Sequence, residues 1–299
     1  MVTEKVYVIL NPYANRWRAG QRKPEILEAL TAQGLEIDIV ETAGVGHATD
    51  LAQAAAQAGD ALVVAAGGDG TIGEVVNGLH QASPEGPLGP LGILPLGTAN
   101  DLVVNLGLPA TIQDAASAIR TGRTRRIDLG QVNEWVFANN SAVGLEPVVT
   151  IYNIRMTWLR GVIRYLVAAL RTIAAEPSWE MNLSWDDGSY DGPVSLVSVG
   201  NCPITGGLFR MAPAAEPDDG KLTFVHAYAE TKWSMLALLP RAISGEYVED
   251  PRVHQHHTRE LRIQCNHPSP LQADGEIRAE GETTFSYRVL PARLDVITA

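Results

Sequence analysis

Apolar positions in the first third of the chain fall into short unbroken runs, separated by polar or helix-periodic stretches. Lys5 to Leu10 (KVYVIL) reads as a buried strand, and NPYANRWRAG after it as a polar, glycine-ended loop. Pro24 to Gln33 reads as a helix with proline in its first turn and Gly34 at its end. Leu35 to Glu41 is a second strand, and His47 to Ala58 a helix of small residues. Asp60 to Ala66 is the third strand, followed by a glycine-rich turn and a helix. Leu91 to Leu94 is the fourth, followed by PLGTAND and another helical stretch. Strands alternating with helices predict a parallel α/β sheet with ligands at the carboxyl ends of its strands.

The pattern changes near residue 123. RRIDLGQVNEWVFANNSAVG reads as strand, turn, strand, and one helix follows at about Leu159 to Ala174. Beyond it lie short β runs at Glu180–Trp185, Val194–Gly200, Lys221–Ala227, Glu260–Gln264 and Thr284–Leu290. Turn signals such as DDGS and DDGK separate several of them, which predicts an antiparallel β-sandwich. The expected division is an α/β domain over residues 1–130 and a sandwich over 131–290. No internal repeat or low-complexity tract breaks either half.

The 299 residues suffice for one large or two ordinary domains with real cores. A formal charge of -11 argues against a nucleic-acid partner, whose phosphates it would repel. Cys202 and Cys265 belong to no CxxC pair, which argues against a disulfide framework or a cysteine-rich zinc site. The start, MVTEKVYVILNP, lacks the segments of a signal peptide, and no apolar run reaches about 18 residues. A cytoplasmic location is the expectation.

The densest chemistry lies in ALVVAAGGDGTIGEVVNGL (61–79). Glycines after a strand let the backbone approach a phosphate, and the next helix aims its N–H groups at the anion. Gly67, Gly68 and Gly70 fit that purpose. Gly68-x-Gly70-x-x-Gly73 also mimics a dinucleotide fingerprint, but it follows the third strand rather than the first. Asp69 would repel phosphate unless a cation came with it. Mg²⁺ shared between phosphates and a carboxylate supplies one, which points to phosphoryl transfer. The plain alternative is an aspartate that caps the helix over 72–79. No GxxxxGK[ST] occurs.

With these motifs in place, the chain resembles the diacylglycerol kinase catalytic family, in its soluble bacterial lipid-kinase branch. Nearly the whole chain takes part: Asn11-Pro12, GGDGT with Glu74 and VVNGL, PLGTAND (95–101), IDLG (127–130), DDGKL (218–222) and DGE (274–276). The resemblance implies a phosphofructokinase-like α/β nucleotide domain followed by a β-sandwich. It implies that residues 291–299 return to the first domain, with ATP in the cleft between the two. It implies nucleotide contacts from Asn11, Pro12, Tyr13, Ala14 and Asn15, from Thr42, from Gly67, Gly68, Asp69, Gly70, Thr71, Ile72 and Gly73, and from Thr98. Read alone, Thr42 and Thr98 are equally well turn or cap hydroxyls.

The family's roles carry over residue by residue. Asp128 joins Asp69 around a catalytic Mg²⁺; read alone, it is a strand-end carboxylate paired with Arg125 or Arg126. Glu276, in the tight turn Asp274-Gly275-Glu276, takes the proton of the attacking alcohol. Asp274 orients it; a plain surface turn is the alternative. Asp219, with the backbone carbonyls of Glu216 and Lys221, holds a second, structural Mg²⁺; a plain hairpin turn is the alternative. The chain departs from the family at Ala14-Asn15, where Ser-Gly is usual, and at Gly73, where asparagine is usual. Arg16 stands where a lysine often follows.

Two features stand apart. His254, His256, His257, Cys265 and His267 cluster in sequence, but their spacing fits no regular zinc site, so solvated loop histidines are expected. In RMTWLRGVIRYLVAALR (155–171), Arg155, Arg160, Arg164 and Arg171 punctuate an apolar helix carrying Trp158 and Tyr165. That helix is expected to pack on the sandwich, its arginines meeting lipid headgroups. The expected activity is ATP- and Mg²⁺-dependent phosphorylation of a membrane lipid, diacylglycerol to phosphatidic acid, at the inner membrane face. An NAD kinase, or a regulatory nucleotide binder with a decayed site, is the alternative. The oligomeric state is open, a homodimer included.

Overall fold

The computed structural model describes residues 5–59, 62–156, 161–175 and 177–299. The chain forms two compact units, one of residues 1–128 with 292–299, the other of 129–291.

The first unit runs β1 (Lys5–Leu10), a single helical turn α1 (Ala14–Trp17), α2 (Lys23–Ala32), β2 (Glu36–Glu41), α3 (His47–Ala58), β3 (Leu62–Gly67), α4 (Asp69–Ala82), β4 (Leu88–Pro95), α5 (Asp101–Leu106) and α6 (Ile112–Thr121). The strand β5 (Thr124–Val132) leads out of it. β1 lies between β2 and β3, and β4 flanks β3, all parallel. Leu294 and Val296 of the returning chain pair parallel with Leu88 and Leu91 of β4. β3 is buried along its whole length, as an apolar run covered on both faces must be. A β-carbon on Gly78 of α4 would meet that of Ala52 in α3 at 2.8 Å, so this glycine lets the two helices close on each other.

The second unit contains β6 (Trp135–Phe137), β7 (Asn140–Gly144), α7 (Leu145–Arg155), α8 (Gly161–Ala174), β8 (Trp179–Trp185), β9 (Gly188–Val194), β10 (Leu196–Gly200) and β11 (Leu222–Ala227). It ends with α9 (Lys232–Ser244), β12 (Val253–Thr258), β13 (Glu260–Ala273) and the first part of β14 (Glu276–Ile297). Antiparallel pairs link β12, β11, β10, β7, β13 and β14 in that order, with β8 on β13 and β9 on β8. Its core gathers Phe137, Leu183, Val197, Phe224, Ile263 and Phe285. The architecture is thus a parallel α/β unit and an antiparallel, sandwich-like unit.

Four local expectations need correction. The stretch after Asn11-Pro12 is not all loop, because Ala14–Trp17 makes one helical turn. α7 and α9 are helices that the periodicity did not announce. β13 and β14 are far longer than the runs read in sequence, with register shifts between Gln264 and Gln272. His254, His256 and His257 belong to strand β12, not to a loop, and His256 stacks on the ring of Phe224 and packs against that of Trp185. Trp158, Leu159 and Arg160, and the side chains of Arg16 and Tyr165, lie outside the described residues.

Candidate active site

In the first unit the loops after β1, β3 and β4 converge. The Asn11 N–H donates to the Ala66 carbonyl (2.9 Å), and the Leu96 N–H to the Gly67 carbonyl (2.8 Å). Asn11 Nδ2 donates to Thr71 Oγ1 at 2.9 Å, so the NP loop grips the first turn of α4. A β-carbon on Gly97 would lie 2.5 Å from Gly68 Cα. The two glycine loops therefore touch backbone to backbone, and any side chain at Gly97 would push them apart. Gly68 is extended and its carbonyl accepts from Ile72 N–H (3.0 Å). The N–H groups of Asp69, Gly70 and Thr71 have no carbonyl one turn earlier to bond, which is what makes a helix start attractive to an anion.

Asp69 is half-buried at the first position of α4. Its Oδ1 accepts from Leu102 N–H at 3.3 Å. The helix it caps is therefore α5, not its own. Burial pushes its carboxyl up, and the backbone N–H groups of Leu102, Asp101 and Asn100 pull it back down. A carboxylate in that position costs free energy that a cation would offset.

The other residues expected to contact nucleotide lie at the carboxyl ends of β1, β2 and β4 or inside α4. Thr42 is buried just past β2, its N–H donating to the Leu10 carbonyl (2.8 Å). Thr98 is exposed in the loop after β4, and Pro12 and Tyr13 lie between β1 and α1. Ala14 opens α1, and Asn15 stands at φ +48. That is a conformation glycine adopts freely and asparagine tolerates, which accounts for asparagine in place of the family's glycine. Ile72 and Gly73 are buried inside α4, the Gly73 carbonyl accepting from Asn77 Nδ2 (2.8 Å). Asp128 is buried on β5, and its Oδ1 accepts from Ala292 N–H at 2.6 Å. Arg126, read as one of its two partners, instead makes a two-pronged pair with Asp295 at 2.8 Å.

In the second unit Asp274 and Gly275, at φ +49 and +77, form a two-residue hairpin between β13 and β14. Asp274 is buried, and its two oxygens accept from the N–H groups of Ala138 (2.9 Å), Asn139 (2.9 Å) and Asn140 (3.1 Å). Its carboxylate thus fixes the turn to the chain before β7, and through that turn it fixes where Glu276 starts β14. Glu276 itself is half-buried. Glu216, Asp219 and Lys221 line one shallow pocket with His257. Asp219 Oδ1 accepts from the Lys221 N–H (2.9 Å). Among the described residues no group of three His, Cys, Asp or Glu side chains is placed to hold a metal ion.

Residues 5–132 match the diacylglycerol kinase catalytic domain, and residues 140–298 match the YegS C-terminal NAD kinase beta sandwich-like domain. The chain belongs to the diacylglycerol kinase catalytic family. Similar curated proteins include the diacylglycerol kinase of Staphylococcus saprophyticus, 28% identical over 296 residues that span 99% of this chain and 95% of that one. The diacylglycerol kinase of Bacillus subtilis is 28% identical over 95% of this chain and 94% of its own. A Bacillus anthracis structure described as a diacylglycerol kinase superposes with a TM-score of 0.79 at 24% identity, covering 99% of this chain and 97% of that one, and so attests the fold. The protein is a lipid kinase by family, and ATP is the co-substrate that a kinase of this family implies.

This kinase carries site features that the motif reading passed over. Asp101 is a second buried carboxyl residue, at the first position of α5, with its own backbone N–H facing Asp69. Its signal was the acid at the end of PLGTAND. Glu74 turns out to accept from Gly46 N–H (2.9 Å) and Ala48 N–H (3.1 Å), which ties α4 to the start of α3. Asn100, left-handed at φ +52, accepts from Gly97 N–H at 3.0 Å and so closes the second glycine loop.

Proposed function

We propose that this kinase transfers the γ-phosphoryl group of ATP to the hydroxyl of a membrane lipid, diacylglycerol, giving phosphatidic acid. The observation that carries the reading is Asp69. A carboxylate set into a glycine-lined helix start is at odds with binding phosphate alone, and consistent with phosphate plus a divalent cation. The donor set fits Mg²⁺: Asp69 is a hard oxygen ligand whose desolvation a dication would offset. Bound there, the ion would neutralise phosphate charge. Asp128 is assigned to the same ion by family pattern, and Asp219 with the carbonyls of Glu216 and Lys221 to a second, structural one.

The residues themselves do the rest. The N–H groups of Gly70 and Thr71 at the start of α4 hold the phosphates, and the Asn11–Thr71 bond keeps that turn in shape. Glu276 accepts the proton that the alcohol loses as its oxygen bonds to phosphorus. The helices α7, α8 and α9 expose Ile154, Ile163, Leu170 and Trp233, with Arg155 and Arg171 also on the surface. No helix of the described residues is long and apolar enough to cross a membrane. These side chains support a peripheral contact with the membrane that holds the substrate.

Purified protein, labelled ATP and Mg²⁺ should label diacylglycerol in a panel that also holds phosphatidylglycerol, ceramide and sphingosine. No labelled lipid from any of them would overturn the proposal. Glu276→Gln should cost about 10²–10⁴-fold in turnover with ATP affinity kept. Full turnover in that variant would remove Glu276 from the chemistry.

A further inference from the structure

The second unit encloses a cavity of about 770 Å³, its open mouth included. Helices α7, α8 and α9 and strands β10 and β11 line it. Its walls are hydrocarbon, with Val149, Ala169, Ile173, Leu196, Met235 and Leu239 among them. Four polar side chains interrupt that surface. Two are already committed: Thr205 bonds Asn140 (3.0 Å), and the Tyr247 hydroxyl donates to the Met211 carbonyl (2.5 Å).

The other two each keep a polar atom unmet. Glu146 is 6% exposed and Ser195 3% exposed. Glu146 Oε1 and Ser195 Oγ have no hydrogen-bond partner among the described residues. A buried polar group left unmet costs about 1–3 kcal/mol. Two of them at one apolar cavity are the usual mark of a ligand whose polar group completes the set.

We propose that this cavity holds a fatty-acyl chain of the acceptor lipid, and that Glu146 and Ser195 donate hydrogen bonds to the carbonyl of its ester linkage. The chemistry of the donors selects that group. A serine hydroxyl donates. A carboxyl shielded from water holds its proton to higher pH, and below about 7 Glu146 donates as well. Burial lifts Glu146 to about 7, the nearby Ser198 hydroxyl tempering the rise. The titratable neighbours, Tyr247 and Tyr287, are phenols held above their usual range, so they add no charge to the site. An ester carbonyl only accepts, so it matches two donors. The long apolar walls match the chain attached to it. Glu146 and Ser195 are positioning residues in this scheme, since the reacting hydroxyl is elsewhere on the lipid.

The proposal rests on the lipid-kinase reading for its purpose, but binding tests it without any phosphoryl transfer. Dioctanoylglycerol and its diether analogue, which lacks both carbonyls, are titrated against the full chain at pH 6, where Glu146 holds its proton. The diester should bind about tenfold more tightly, the worth of one well-made hydrogen bond. Glu146→Leu and Ser195→Ala should each shrink that preference to about twofold or less. Glu146→Gln, which still donates through its amide, should keep it; a merely structural glutamate would give no such split. Ala169→Trp, which fills the cavity, should weaken both lipids. ATP affinity measured on the same samples reports whether each variant is folded. Equal binding of diester and diether by the wild type overturns the proposal, as does a preference that survives Glu146→Leu and Ser195→Ala. If the diester binds as expected but is not phosphorylated, the kinase reading falls and the cavity assignment stands. If lipid is phosphorylated with no carbonyl preference, the reverse holds.

Discussion

Asp69 in the first unit and Glu146 in the second are both carboxyl groups lifted by burial, yet they live in opposite surroundings. Around Asp69 the backbone turns N–H groups inward from the start of α5, and the next groups along α4 point their own N–H toward the same turn. Around Glu146 the cavity lining is mostly hydrocarbon, the polar groups nearby are neutral hydroxyls, and one oxygen bonds nothing. The first setting tolerates charge and asks for more of it. The second suppresses charge and favours a neutral acid. On the proposed reading, two residues with the same functional group divide the work of a lipid kinase: one unit would manage phosphate, the other grease. The fold supports the division. A parallel sheet gathers backbone N–H groups at helix starts beside its strand ends, whereas helices laid on an antiparallel sheet leave apolar space between the layers.

The largest test of that division is Asp69→Asn. The amide keeps the shape and the contact with Leu102 but cannot carry the negative charge. Phosphoryl transfer should fall by about 10²–10³-fold or more, with the thermal midpoint moving little. A variant with normal turnover would place Asp69 among ordinary helix caps. A parallel loss of fold would show that its bond to α5 matters more than its charge.

A smaller effect should come from Glu146, and its sign follows from its surroundings. The folded group binds its proton up to about 7, against an ordinary 4.5. The native state therefore holds a proton that the unfolded chain releases. This stabilising contribution is complete below pH 4.5 and is lost as pH rises through 7. Glu146→Gln cannot ionise. The difference in unfolding free energy between variant and wild type should move by up to ~3 kcal/mol in the variant's favour from pH 4.5 to 8. Denaturant melts across that range would read it directly. A pH-independent difference would mean that Glu146 is ionised and hydrated, and the contrast with Asp69 would dissolve.

The glycine turn of the first unit was legible in the sequence because its pattern is local. A buried strand, a glycine turn and a helix follow one another within twenty residues, and GGDGT reads as one object. Asn15 was harder: its meaning lies in a positive φ that no spacing reveals. The second unit was mostly illegible beyond its short β runs. α7 (LEPVVTIYNIR) is rich in β-branched residues, and its polar residues are spread around it, so it carries no helical stripe. α9 has Pro240 inside it. β13 passes through NHPSP, where two prolines read as loop. The cavity draws its walls from five elements spread over about a hundred residues, so no motif announces it. Asp274 fell between these cases. The turn was readable from Asp-Gly, but the three N–H groups it collects come from residues 138–140, far away in sequence.

The smallest effect concerns the contact that holds the phosphate turn to its neighbour. Asn11 Nδ2 donates to Thr71 Oγ1 at 2.9 Å, sixty residues apart in sequence, while Asn11 Oδ1 accepts from Tyr13 N–H at 3.0 Å. The asparagine thus shapes its own loop with one end and the α4 turn with the other. Asn11→Ala removes both bonds, and Thr71→Val removes only the shared one while keeping the volume. Each single variant should lose about 1 kcal/mol of ATP binding, roughly five-fold in affinity. If the bond acts as a unit, the double variant should lose little more than Asn11→Ala alone, leaving a coupling energy of about 1 kcal/mol. Simple additivity would mean that each side chain meets the nucleotide separately. In that case the turn would owe its shape to Gly68 against Gly97, and the charge-handling unit would rest on glycine packing rather than on a side-chain brace.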